Sequence, residues 1–143
     1  MKSVSFLIFT ILLSTFTSCT RQYKVAKIIA GKTYIDEAVD ILDEPQMVEQ
    51  SPVKAGNNLY VWEDITLQVN SQDVVTAIHK QPIEHELTLQ FWKHHYKEIQ
   101  TTFTKIQSSP SILWQLNIPS KGINVIYDER VDKVTKVIFY EAN

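Results

Sequence analysis

The single cysteine of this 143-residue chain, Cys19, closes a segment with the composition of a leader rather than of a folded unit. Lys2 supplies a short basic stretch, Val4 to Leu13 read VSFLIFTILL, and the small residues Thr17 and Ser18 lead to the cysteine. A positive charge, an apolar run of this length and small residues beyond it form the pattern of a cleaved secretory leader. The run is shorter than the roughly 20 apolar residues that a membrane-spanning helix needs. Removing residues 1–18 leaves 143 − 18 = 125 residues. One cysteine allows no internal disulfide, so packing alone must hold them, even in an oxidising compartment. A chain of that size buries roughly two thirds of its unfolded surface, enough for one self-standing core.

The stretch Phe16-Thr17-Ser18-Cys19 resembles a bacterial lipoprotein signal, with Phe16 where leucine is commoner. The resemblance implies cleavage before Cys19, diacylglycerol on its sulfur, and residues 19–30 as a tether. Thr20 is not the aspartate associated with inner-membrane retention in enteric bacteria, so the implied address is the outer membrane, facing the periplasm. Without Lys2 the charge is 13 − 16 = −3, which lacks the basic footprint of a nucleic-acid binder. With 3 Gly, 5 Pro and 44% hydrophobic residues, the chain is also a poor candidate for disorder.

In the mature part, Ile35, Ala38, Val39 and Leu42 fall on one face of a helix, and the pattern predicts a helix over Thr33–Leu42. Thr33 and Asp36 read as its start and Pro45 as its stop. Residues 46–58 read as a loop or β-edge segment. Leu59–Trp62, then alternating Ile65, Leu67 and Val69, then Val74–His79 after the turn Asn70–Asp73, predict a β-meander with one apolar face.

Ile99, Thr102, Phe103 and Ile106 repeat the first helical spacing at an offset of 99 − 35 = 64. Ile123–Tyr127 parallels Ile65–Val69, and Val134-Thr135 parallels Val75-Thr76. Residues 86–97 fit either alternation through Leu87, Leu89 and Phe91 or a helical stripe through Trp92 and Tyr96. The expectation is a helix from about Trp92 to Gln107. The fold class expected is therefore α+β: one domain over 31–143, an antiparallel sheet with helices packed on one face, in two helix–meander repeats at 31–79 and 87–140.

Gly31-x-Thr33, followed by Val39, Leu42, Pro45 and a strand pair, resembles the SmpA/OmlA outer-membrane lipoproteins, which include the BamE accessory factor of outer-membrane protein assembly. Residues 31–79 carry the resemblance, with a weaker echo in 96–140. The family pattern carries glycine where this chain has Asp43. A tandem arrangement also resembles the β-lactamase-inhibitor-protein fold, whose disulfides have no counterpart here. The matching residues are structural, so the resemblance transfers no binding residue.

No pattern points to catalysis. Ala30-Gly31-Lys32-Thr33 lacks the upstream glycine of a phosphate-binding loop, Ala26 standing in its place. His94 and His95 are adjacent and His79 and His85 are six apart, none at metal-chelating spacing, so no metal or cofactor is expected. Asp36/Glu37, Asp43/Glu44, Glu63/Asp64 and Asp128/Glu129 read as turn and capping residues, and no serine sits in a nucleophile elbow. Trp62, Trp92 and Trp114 suit either a core or a binding platform.

The expectation is a non-catalytic lipoprotein that binds an envelope protein, or else an inhibitor or immunity lipoprotein that docks on an enzyme through its sheet. Lys136 sets the outward parity of the last strand, which places Ile138 and Tyr140 outward with it. Ile126 follows if Val125 and Tyr127 point inward. Ile126, Ile138 and Tyr140 are thus the candidate partner-binding residues, unless residues 46–58 or the C-terminal Glu141-Ala142-Asn143 cover that face.

Overall fold

Short runs of β-branched and aromatic residues, cut by turn residues every few positions, make a sheet the dominant element of this chain. The computed structural model describes Arg21 and residues 23–142; the expected leader and Cys19 lie outside the described residues. Helix α1 (Ile35–Leu42) precedes β1 (Met47–Gln50), β2 (Asn58–Val61), β3 (Ile65–Val69) and β4 (Val75–Lys80). A 3-10 turn at Glu84–Glu86 leads into α2 (Leu89–His95). Then come β5 (Thr102–Gln107), β6 (Leu113–Ile118), a 3-10 turn at Pro119–Lys121, β7 (Ile123–Asp128) and β8 (Lys133–Tyr140).

All eight strands join one antiparallel sheet in the order β1-β2-β3-β4-β8-β7-β6-β5. Two four-stranded meanders therefore meet along β4 and β8, in the register Ala77↔Tyr140, Ile78↔Phe139, His79↔Ile138 and Lys80↔Val137. Strands β1 and β5 are the edges.

This architecture corrects the expected layer of helices packed as repeats on a sheet face. The sheet dominates, and α1 and α2 have only 8 and 7 residues. The expected helix from Trp92 to Gln107 stops at His95, and its second half is the edge strand β5. Thr102-Phe103-Thr104-Lys105-Ile106 is β-branched or aromatic at four of five positions, a composition that fits a pleated surface better than a helix. Phe103 and Ile106, expected in a core, are 38% and 50% exposed.

Helix α1 forms as its stripe requires: Ile35, Ala38 and Leu42 are buried and Val39 packs at the margin of the same cluster. Its first turn is held by the Glu37 carboxylate, which accepts from the Tyr34 N–H at 3.1 Å. Thr33 is not the cap; its hydroxyl accepts from Ile29 N–H at 2.9 Å and so folds the preceding turn. The helix ends at Asp43, whose φ of 70° and ψ of −180° fall in a region essentially reserved for glycine. The Trp62 indole donates to the Asp43 carbonyl at 3.1 Å and ties that end to the sheet.

The core has two clusters. The first joins α1 and the N-terminal residues Val25 and Ile28 to Trp62, Ile65, Leu67, Val69, Val75 and Ile78. The second joins Trp92 of α2 to Leu116, Ile118, Ile123, Val125, Val134 and Val137. Phe139 packs against both. Across the same junction, Lys80 Nζ of β4 lies 2.8 Å from the Glu86 carboxylate, with both side chains almost wholly buried. The Trp92 indole donates to the Glu86 carbonyl at 2.8 Å, and Val134 N–H to the Leu87 carbonyl at 2.7 Å. Gly122, at φ 61°, is required where it stands, because a Cβ there would overlap the Tyr140 carbonyl oxygen.

Candidate functional site

An antiparallel sheet can present one face to water, and here that face is set by strand parity. On β8, Val137 is fully buried while Lys136 is exposed and Ile138 and Tyr140 are half-buried. Ile138 is flanked by His79 on β4 and Asn124 on β7. Ile126 pairs with Lys136 on one side and Gln115 on the other, and Tyr140 pairs with Ala77. The structure thus places Ile126, Ile138 and Tyr140 on the same uncovered face, with Ile126 and Ile138 diagonal neighbours. Ile126 is only 9% exposed, so it contributes less surface than its parity implies.

Polar neighbours fix the surroundings of this patch. The Tyr140 hydroxyl donates to Asn117 Oδ1 at 2.8 Å, and Gln115 Nε2 donates to Asn124 Oδ1 at 3.2 Å. Residues 47–50 extend the sheet as β1, paired with β2, and Glu141 lies against Gly31.

The face also carries residues that the parity of one strand could not reveal. The row Met47–Val61–Thr66–His79–Ile138 crosses five strands through successive register pairs. A groove of about 440 Å3 runs along its first four members, lined by Met47, Val61, Thr66, His79 and Lys136 among others, but not by Ile138. Burial pushes the His79 imidazole below its usual value, and the Lys136 ammonium adds to that. His79 is therefore neutral at pH 7, a polar group without charge beside an apolar strip.

The other candidate groups are used structurally. Trp62 and Trp92 are buried, while Trp114 is half-buried and stacked on Phe103 at 4.8 Å between centroids. Lys93 Nζ lies 4.3 Å from the Phe103 ring and Lys105 Nζ 5.2 Å from Trp114, so this pair is flanked by cations. Gly31 N–H donates to the Val75 carbonyl at 2.7 Å, which removes it from any phosphate cradle. Asp64 pairs with Arg21 at 3.2 Å, and Asp128 accepts from Arg130 N–H at 3.0 Å within its own turn. Among the described residues no three His, Cys, Asp or Glu side chains gather in a metal-holding group. No described helix is long and apolar enough to cross a membrane.

Comparison with protein-family models, with curated proteins and with solved structures finds no match to this chain.

Proposed function

We propose that this chain is a non-catalytic lipoprotein, anchored through Cys19 to the periplasmic side of the outer membrane, that binds another envelope protein through its uncovered sheet face. The observation that carries the reading is the half-buried row from Val61 to Ile138, apolar at both ends and neutral between, running beside a groove on a face that no described segment covers. Apolar side chains set among uncharged polar ones are a character that protein-binding sites share.

A role like that of the SmpA/OmlA lipoproteins in outer-membrane protein assembly or envelope integrity is supported by the lipoprotein-like leader. It is supported also by Asp43, which holds a glycine-type conformation at the position where that family carries glycine.

The test is copurification from detergent-solubilised envelopes, with wild-type protein and with Ile138→Glu/Tyr140→Glu. The wild type should bring down β-barrel assembly subunits, and the double variant should fold normally and lose them. Recovery of one enzyme instead would make the chain an inhibitor or immunity lipoprotein. A folded double variant that retains its partner would remove this face as the site. Cys19→Ser should abolish lipidation and release the protein from membranes; a wild-type chain without acyl mass would end the lipoprotein reading.

A further inference from the structure

The two core clusters share only Phe139, and at the end of the β4–β8 junction the packing opens into a cavity of about 570 Å3. Protein interiors leave few voids larger than a water molecule, whereas ligand cavities run to about 300–1,000 Å3 and are mostly apolar. Val25, Ile28, Ile78 and Phe139 form its apolar walls. The one cation inside, Lys80, is taken by Glu86 at 2.8 Å. The only buried side-chain atom without a partner among the described residues is Asn57 Nδ2, which does not line the cavity. Lys80 is thus the one charged side chain among the buried lining residues described, and it is already paired.

Polar recognition is available at the margin alone. Lys32 and Lys121 line the cavity and are exposed, and neither enters an ion pair among the described residues. Glu141 is the one opposing charge there, its carboxylate lying against Gly31. A site mostly apolar within, with two unpaired lysines in its exposed lining, suits a molecule of the same build. We infer that this cavity binds a long-chain fatty acid, its chain between Ile28, Ile78 and Phe139 and its carboxylate at Lys32 and Lys121. The inference does not depend on what the other sheet face binds, although Tyr140 borders both.

The experiment offers a diazirine-bearing palmitate to the purified full chain in nanodiscs of zwitterionic phospholipid and maps the crosslinks by mass spectrometry. Labels should concentrate on residues 25–32 and 139–142, and unlabelled palmitate should compete while hexadecanol does not. Lys32→Glu/Lys121→Glu, both at exposed positions, should weaken binding by about tenfold, the loss of roughly 1.4 kcal/mol of interaction. Ala26→Trp/Ala142→Trp, also exposed and lining the cavity, should abolish labelling with no change in melting temperature. Labels spread along the chain, equal competition by hexadecanol, or labelling unaffected in the lysine variant would each overturn the proposal.

Discussion

Residues 35–42 and 99–106 carry apolar or β-branched side chains at the same four spacings, yet one is a buried helix and the other runs from a turn into an exposed edge strand. The difference lies in what surrounds the spacing. The first stretch has Asp36 and Glu37 at the positive end of its dipole, Ala38 at a fully buried position and Pro45 beyond its end. The second has Thr102, Thr104 and Ile106, which lose side-chain freedom in a helix, and no acidic first turn. It also has β6 to pair with, from Thr102↔Asn117 to Gln107↔Leu113. Periodicity states that a face exists; composition and an available partner decide which element presents it.

Leu42 and Ile106 are the equivalent last positions of the two stripes, and truncating each gives the sharpest contrast. Leu42, fully buried, should lose about 2–5 kcal/mol as alanine. Ile106→Ala, at an exposed edge position, should stay within about 0.5 kcal/mol. Equal losses in urea unfolding would show that β5 is covered in solution.

Phe103→Ala removes the stack on Trp114 rather than a core side chain. The stack contributes about 0.5–1.5 kcal/mol beyond the area it covers, and the total cost should stay below the roughly 3–5 kcal/mol of a fully buried phenylalanine. A loss of several kcal/mol would break the distinction between the two stretches.

Their ends differ as well. Asp43 holds a glycine-only conformation, and no residue from 106 to 109 has a positive φ. Asp43→Gly should therefore raise stability by about 1 kcal/mol. The exposed Lys24–Asp43 pair, 3.3 Å apart, offsets little of that gain. Ser108→Gly should bring no gain, and thermal melts of the two variants decide the matter.

The smallest effect belongs to His79. Its folded value lies below the unfolded one near 6.5, so the folded state resists protonation. Its contribution is fully present above that unfolded value and is lost as pH falls through the lowered folded one. Melting temperatures at pH 7.5 and 5 should differ less in His79→Gln than in the wild type.

Much of the strand content is legible along the chain. Ile65, Leu67 and Val69 alternate cleanly, Asn70–Asp73 turns, and Lys136 states the parity of β8, which is how Ile138 and Tyr140 can be placed. The sheet order is not legible, because the β4–β8 pairing joins residues far apart and leaves no local mark. For the same reason Met47, Val61 and His79 could not be put on the candidate face beside Ile138. The expected repeat carried its own warning. The helical stripes are offset by 64 residues, but the strands Ile65–Val69 and Ile123–Tyr127 by 123 − 65 = 58. One duplicated unit cannot hold both spacings without an insertion.

The junction between the meanders also orders the folding reaction. Within each meander, strand pairs close over short turns, whereas Ala77↔Tyr140 closes a loop of 140 − 77 = 63 residues. Loop-closure entropy grows with the length enclosed, and non-local pairings form slowly. The two meanders are expected to form first and independently, with zipping of β4 to β8 as the late, rate-limiting event. Ile78→Val, which sits in that pairing, should then slow folding as well as speed unfolding. An unchanged folding limb in its chevron would place the junction after the barrier instead.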